Sequence, residues 1–347
     1  MQSIHINTYS EPSGYQLGEL AKPVIEDDRD VLIKVHAGSV NPVDVKMAVG
    51  VLKMVTPLQF PYKIGYDCAG TVSEVGSAVS RFKVGDEVYT RLPGSHRGAW
   101  SEYAKAPENF FALKPTNLSF DDAASIPLAA VTAFQALQSA GDLNGKTVFI
   151  PAGLSGTGAY CCQLAKNVFK AGKVITTVST SKVPKVKELL GEGVVDEIID
   201  YTKEDPKTTI PLGSVDFMFD TVGMAMPYLC LLRPKTGLVI SISLIPSGDK
   251  LAASGEVPVP FILRKILNLV DAINRWRASR WDVTYQYLFM DPNGKDLEEI
   301  KESVEQGKLR AVVGTKVHYK DIDAVREACG VVFNGKGGIG KTVISFD

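Results

Sequence analysis

The stretch "KTVFIPAGLSGTGAYCCQLAKNVFKAGKVITTVS", residues 146–179, decides the fold. It opens on a short apolar run, Thr147–Ile150. A glycine-rich turn follows at Gly153-Leu154-Ser155-Gly156-Thr157-Gly158. Ala159, Cys162, Leu164 and Ala165 then fall at helical spacing, and the β-branched run "KVITTV" closes the unit. Strand, glycine turn, helix and strand in that order make a βαβ unit. Its two strands lie parallel, because the crossover helix must pack back onto the sheet. The alternation continues with a helix in "VPKVKELLG" and strands in "DEIIDY", "SVDFMFDTVG" and "GLVISIS". Residues 126–265 therefore read as a doubly wound parallel sheet of the Rossmann type.

Outward from this core the pattern changes. Residues 1–125 carry short β-rich runs such as "DVLIKVHAGSV" (30–40) and "VGDEVYT", separated by glycine turns and without a long helical period, so a β-rich domain is expected there. Residues 266–347 read as a return to that first domain, through the helices of "FILRKILNLVDAINRWRAS" and "GKDLEEIKESVEQGKL" and the strands "RAVVGTKV" and "KTVISFD". The whole is an α/β chain of 347 residues, and at roughly 100–200 residues per domain the length suggests two domains.

Composition excludes several classes. Lys and Arg number 38 against 39 Asp and Glu, so no field of one sign points to nucleic acid. Five scattered cysteines without a C-x-x-C pair argue against a disulfide framework and for a reducing, cytoplasmic setting. The N-terminus shows no basic and apolar regions of a signal peptide, and no run of about 18 apolar residues spans a membrane.

Two motifs are misleading. Gly335–Thr342, "GKGGIGKT", matches the phosphate-loop pattern, but only "VISFD" follows it. A phosphate loop needs a helix there to present its N–H groups, and Val343, Ile344 and Phe346 favour a strand. A glycine-rich turn between a helix and a final strand is expected instead. A nucleophile elbow at Ser155 fails because the second glycine falls one place early and four histidines offer no ordered partner.

The first loop is the better nucleotide site. A dinucleotide fingerprint would place glycines at 153, 155 and 158, and Ser155 stands at the middle one. Gly156 and Thr157 complete the loop at the helix start, where backbone N–H groups meet a pyrophosphate. After "KVITTV", where an acidic residue would hold a ribose 2′-hydroxyl, the chain has Ser179-Thr180-Ser181-Lys182. Hydroxyls and a lysine suit a 2′-phosphate, whereas a carboxylate would repel it, so NADPH is expected over NADH.

In six ordered blocks, "SVNPVDVKMAVG" (39–50), "IGYDCAGTVSEVGSAVSRFKVGDEVY" (64–89), "GAWSEY" (98–103), "AASIPLAAVTAFQAL" (123–137), "AGLSGTGAYCCQLAK" (152–166) and "GKLRAVV" (307–313), the chain resembles the medium-chain dehydrogenase/reductase superfamily, and within it the zinc-free quinone oxidoreductases and enone reductases. The resemblance implies a GroES-like catalytic domain joined to the Rossmann domain, with a quinone or enone substrate in the cleft between them. In zinc-dependent relatives a Cys stands where this chain has Asn41, and a His-Glu pair where it has Tyr66-Asp67. With a third cysteine also missing near 128–130, no metal is expected.

The implied site follows. Asn41 lies beside the nicotinamide, with Lys46 and Tyr66 as candidate donors to a developing oxyanion. Thr132 runs beneath the nicotinamide, Tyr201 lies near the adenosine phosphate, and Ser241 and Ser243 end a strand where ligands approach such sheets. Asp44 and Asp67 are expected to be structural hydrogen-bonders. The reaction implied is NADPH-dependent reduction of a quinone or of an activated C=C bond. A dedicated biosynthetic enoyl reductase and a non-catalytic NADPH-binding protein are the alternatives. Relatives are often dimers, so a homodimer is admitted. The basic helix near 261–281, with Phe261, Trp276 and Trp281, is expected to turn its apolar residues to a core face or a substrate pocket rather than to a membrane.

Overall fold

A computed structural model describes residues 1–54, 56–253, 259–335 and 338–347. Contacts divide the chain into two units. The first comprises Met1–Val131, Asp291–Gly307 and Ala311–Asp347; the second comprises Thr132–Met290 and Lys308–Arg310.

The second unit contains the stretch that opens the sequence reading. Strands β9 (Thr147–Ile150), β10 (Lys173–Val178), β11 (Glu197–Asp200), β12 (Phe217–Asp220), β13 (Leu238–Ser241) and β14 (Thr284–Tyr287) form one parallel sheet in the order β11-β10-β9-β12-β13-β14. The order reverses between β10–β9 and β12, which is the doubly wound arrangement that presents a crevice at the carboxyl ends of the strands. The strands are short and apolar because both faces are covered, and Phe149, Ile175, Ile199, Met218 and Val239 are buried in one cluster. The connecting helices include α4 (Gly156–Asn167), α5 (Val183–Leu190) and α6 (Pro206–Thr209). Pro184 opens α5 and Gly191, at φ 105°, ends it, the asymmetry expected of helix termini.

The sequence pattern puts the return to the first unit at about residue 266, but contacts put it at Asp291. Helices α7 (Gly248–Ala253) and α8 (Phe261–Ser279) belong with the parallel sheet, and β14 adds a sixth strand that the pattern does not announce. Four residues, "TYQY", are too short a run to show a period.

In the first unit β1 (Gln2–Ile6) lies between β2 (Gln16–Glu19) and β4 (Tyr62–Lys63). The larger sheet runs β15 (Val313–His318), β16 (Lys341–Ser345), β3 (Asp30–Val40), β5 (Asp67–Val75), β6 (Glu87–Arg91), β8 (Phe111–Leu113), with β7 (Tyr103–Pro107) pairing on β3. Helices α1 (Pro42–Ala48), α2 (Phe120–Ala124), α9 (Gly294–Glu305) and α10 (Ile322–Phe333) pack on these sheets, and α3 (Pro127–Ser139) begins in this unit and ends in the other. The core holds Ile4, Tyr15, Ile33, Val72, Trp100 and Ile344.

The misleading tail resolves here. Thr342 lies inside β16, which pairs with β15 on one side and antiparallel with β3 on the other. The helix before it is α10, and Lys336 and Gly337 of the turn lie outside the described residues. The antiparallel register sets Thr342 opposite Val40, which brings Lys341 to the start of α1.

Candidate active site and cofactor loop

Asn41 caps the N-terminus of α1 with extended backbone, and Pro42 takes the first helical position, where its missing N–H costs nothing. The carboxylate of Asp44 accepts from the Asn41 backbone N–H at 2.7 Å. The Asn41 side chain is thereby left for other partners. Its Nδ2 donates to Asp67 Oδ2 at 2.8 Å, and its Oδ1 accepts from Lys341 Nζ. Lys341 also donates to the Val40 carbonyl at 3.0 Å and pairs with Asp67 at 3.7 Å. Asp67 further accepts from Ser39 Oγ at 3.1 Å and from the Leu128 N–H at 3.1 Å. Asn41, Asp44, Asp67, Ser39 and Lys341 are all buried.

This network fixes the Asn41 carboxamide at both ends, so its oxygen and nitrogen cannot exchange places without breaking two bonds. It also sets one ammonium against two carboxylates away from water. Burial raises both acids and lowers the lysine, while the mutual attraction of Lys341 and Asp67 opposes those shifts. Asp67 takes the direct pairing and three donors. Asp44 has one oxygen without a hydrogen-bond partner and is pushed up to about 7, by burial first and by the Asp67 charge second. The pairing with Lys341 and the three donors favour the ionised form of Asp67, and burial beside that charge favours the protonated form of Asp44.

Gly65 makes the approach to Tyr66 and Asp67 possible. Its φ is 106°, and a Cβ there would meet the Trp100 indole at 2.3 Å. Trp100 in turn donates Nε1–H to the Ser39 carbonyl at 3.1 Å. Tyr66 is buried under the guanidinium groups of Arg91, 4.5 Å from its ring centre, and Arg97, at 5.6 Å. Burial pushes its hydroxyl up, against the pull of Arg97, so it stays protonated. Lys46 is exposed on the last turn of α1. Neither Tyr66 nor Lys46 hydrogen-bonds to Asn41, Asp67 or Lys341 among the described residues.

In the second unit the glycine loop joins β9 to α4. Ala152 holds φ 57°, an uncommon conformation for a residue with a Cβ. Its N–H donates to Thr177 Oγ1 at 3.0 Å, and Gly153 N–H donates to the Thr177 carbonyl at 3.2 Å. A Cβ at Gly153 would meet Thr176 Oγ1 at 2.1 Å, so the loop lies directly on β10. Ser155 Oγ accepts from the Gly158 N–H at 3.1 Å and caps α4. The serine at the middle fingerprint position therefore acts first on its own helix. The first-turn N–H groups of Gly156 and Thr157 have no carbonyl to meet inside the helix, and no acid stands in that turn.

At the end of β10, Ser179 and Lys182 are half-buried and Thr180 and Ser181 exposed, with Thr180–Lys182 in a short 3-10 turn. The sequence shows no acid following β10, but tertiary structure supplies one. Asp200, at the end of the neighbouring β11, accepts from Thr180 Oγ1 at 2.6 Å and from Thr202 Oγ1 at 2.6 Å. Those hydroxyls hold its carboxyl down at about 2, so it is ionised. Thr180 thus spends its proton on Asp200, and the hydroxyls of Ser179 and Ser181 and the ammonium of Lys182 lie in the same turn. Tyr201 is exposed beside this group. Thr132 is buried on α3. Ser241 is buried and donates to Asp220 Oδ2 at 2.9 Å, and its oxygen accepts from the N–H groups of Ser243 and Leu244. It shapes the turn, and Ser243 is the exposed member of the pair.

Sequence reasoning missed Lys341 as a site residue, having weighed it only as a phosphate-binding lysine. A lysine opening "KTVIS" is ordinarily solvated, so no local signal marks it as buried. Among the described residues, no group of three or more His, Cys, Asp or Glu side chains could hold a metal ion.

Comparison with known proteins agrees with both units. Residues 27–116 match the alcohol dehydrogenase GroES-like domain, and residues 195–344 match the family described as zinc-binding dehydrogenase. The chain is 34% identical over 331 residues to 2-methylene-furan-3-one reductase of Solanum lycopersicum, covering 94% of this chain and 74% of that protein. It is 34% identical over 319 residues to the chloroplastic NADPH-dependent alkenal/one oxidoreductase of Arabidopsis thaliana, covering 89% and 71%. The quinone oxidoreductase of Coxiella burnetii superposes with a TM-score of 0.80 at 28% identity, over 100% of this chain and 99% of that one. With the strand order of the parallel sheet and the β-rich first unit, these matches establish that the chain belongs to the medium-chain dehydrogenase/reductase superfamily, among its quinone oxidoreductases and enone reductases.

Proposed function

We propose that the protein is an NADPH-dependent reductase of quinones or of the C=C bond of α,β-unsaturated carbonyl compounds, working without a metal. The observation that carries this reading is the buried network of Asn41, Asp67 and Lys341. Asn41 stands at the sequence position where zinc-dependent relatives carry Cys, and Asp67 at that of the Glu in their His-Glu pair. A carboxamide replaces the thiolate, the acid is already satisfied by three protein donors, and an ammonium sits where a divalent cation would be repelled.

The donor set of the second unit fits a phosphorylated dinucleotide. The first-turn N–H groups of Gly156 and Thr157 and the Ser155 hydroxyl would hold the pyrophosphate. Ser179, Ser181 and Lys182 would hold the 2′-phosphate, with Tyr201, Thr132 and Ser243 along the remainder. When bound, NADPH supplies a hydride. Its addition to a conjugated acceptor leaves negative charge on an oxygen, which a few fixed donors can stabilise. Asn41 has one Nδ2 hydrogen beyond the one given to Asp67. The protonated Tyr66 hydroxyl and the Lys46 ammonium are the other candidates. Names of the relatives support the acceptor class, since one reduces a methylene-furanone and another alkenals and enones.

Five free cysteines support a reducing compartment, with the cytoplasm as the proposed one. Among the described residues no helix is long and apolar enough to cross a membrane. The test is NADPH oxidation with a chelator present, using one quinone and one linear enone in parallel. Turnover with either acceptor is expected. Loss of turnover on chelation would overturn the metal-free mechanism, and no turnover with either acceptor would overturn the reductase reading.

A further inference from the structure

The sequence reading gives the apolar residues of α8 a buried destination, but the structure turns them outward. The buried positions of α8 are Asp271, Asn274 and Ala278. Ile262, Ile266, Leu269, Ile273 and Trp276, spaced by four, three, four and three, fall on one stripe, and they are 74, 54, 62, 47 and 59% exposed. The inner side is held by α7 and β14. A Cβ on Gly248 of α7 would meet the Arg264 carbonyl at 2.4 Å, so those two helices cross at backbone contact.

Charges sort by face. Arg264 pairs with Asp249, and Arg275 pairs with Asp271 at 3.0 Å. Lys265 and Arg277 lie on either flank of the apolar stripe at 100° per residue, and Arg280 continues its line past the helix end. None of these three forms an ion pair among the described residues. Lys265 lies 5.4 Å over the Phe261 ring, and Arg280 lies 5.4 Å over Trp276. The acid of α8, Asp271, is buried on the opposite side.

We propose that α8 docks in the plane of an anionic lipid bilayer, with Ile262, Ile266, Leu269, Ile273 and Trp276 in the acyl boundary and Lys265, Arg277 and Arg280 at the headgroups. An apolar stripe with Trp at one end and cations beside it is the composition of an interfacial helix. Charge selects this occupant over a second copy. A two-fold contact would set the same patch against itself and oppose three cations to three cations. This inference does not rest on the reductase reading, and its test needs no turnover.

The test uses the full chain with sedimenting vesicles, of phosphatidylcholine alone or mixed with phosphatidylserine, and reads bound protein and tryptophan emission. Co-sedimentation with the mixed vesicles, release by salt and a blue shift of emission are expected. Replacing Lys265, Arg277 and Arg280 with Glu should weaken binding by roughly 100-fold or more. The pair Leu269→Asp and Ile273→Asp should abolish it while far-ultraviolet dichroism stays unchanged, since both side chains are exposed. Binding that ignores lipid charge, survives in either variant or fails in the wild type would overturn the proposal. So would a dimer in solution that the aspartate pair dissociates.

Discussion

Lys341 Nζ donates to the side-chain oxygen of Asn41, 300 residues earlier in the chain. The contact exists because β16 lies antiparallel beside β3. Lys341→Met would leave Asp67 buried without its cation, at a cost of about 3 kcal/mol or more. It would also free the carboxamide to turn, and a misplaced group of that kind costs about 100-fold in kcat/KM. Adding Asp67→Asn should restore stability without restoring turnover. Full activity in Lys341→Met with a lowered melting temperature would show that the lysine serves the fold alone.

Asp44 makes stability depend on pH in a stated direction. Its folded value is about 7 against an ordinary 3.8. A raised folded value means that the folded chain holds the proton longer than the unfolded one. The stabilisation is complete below about pH 4 and is lost as pH rises through about 7, at up to roughly 1.4 kcal/mol per unit. Thermal melts of wild type and Asp44→Asn between these limits should converge toward acid and diverge toward neutral pH, with the wild type falling. Parallel curves would remove the assignment.

Lys182 tests the 2′-phosphate subsite. Thr180 is already committed to the ionised Asp200, and Lys182 is the one cation of the quartet at 179–182 that could oppose the charge of a 2′-phosphate. Lys182→Glu should weaken NADPH by about 10-fold or more and leave NADH within about 2-fold, in direct binding titrations. Equal losses for both nucleotides would refute the NADPH assignment.

Gly65 and Gly85 separate two causes of glycine dependence. Both hold positive φ, but a Cβ at Gly85 meets nothing within 4 Å, whereas one at Gly65 meets Trp100. Gly85→Ala should cost about 1 kcal/mol, from backbone strain alone. Gly65→Ala should cost at least about 2 kcal/mol more, because Trp100 must move and release its bond to Ser39. Denaturant unfolding of the two variants measures the difference.

Ser155 holds the start of α4 through the Gly158 N–H. Ser155→Ala should cost about 1 kcal/mol and Ser155→Gly a few tenths, because glycine tolerates the cap position. If both retain NADPH affinity, the hydroxyl serves the helix and not the phosphate.

Much of this protein is legible along the chain. The parallel sheet follows from the alternation of residues 146–241, and α8 begins and ends where "FILRKILNLVDAINRWRAS" does. The glycine loop declares itself because its neighbours in sequence are its neighbours in space. The network around Asn41 does not, since its members come from β3, β5, the start of α1, the start of α3 and β16. Asp200 escapes for the same reason, reaching Thr180 across two adjacent strands.

Local pattern and turn chemistry thus determined the elements, their order and the glycine loop, because propensity, capping and periodicity act over a few residues. Tertiary structure decided which charges are buried together and which face of α8 meets solvent. Periodicity marks an apolar stripe without saying where it points, and a lysine in a glycine-rich tail has no identifiable partner until strand register brings a carboxamide and a carboxylate to it, out of water, where their interaction becomes strong.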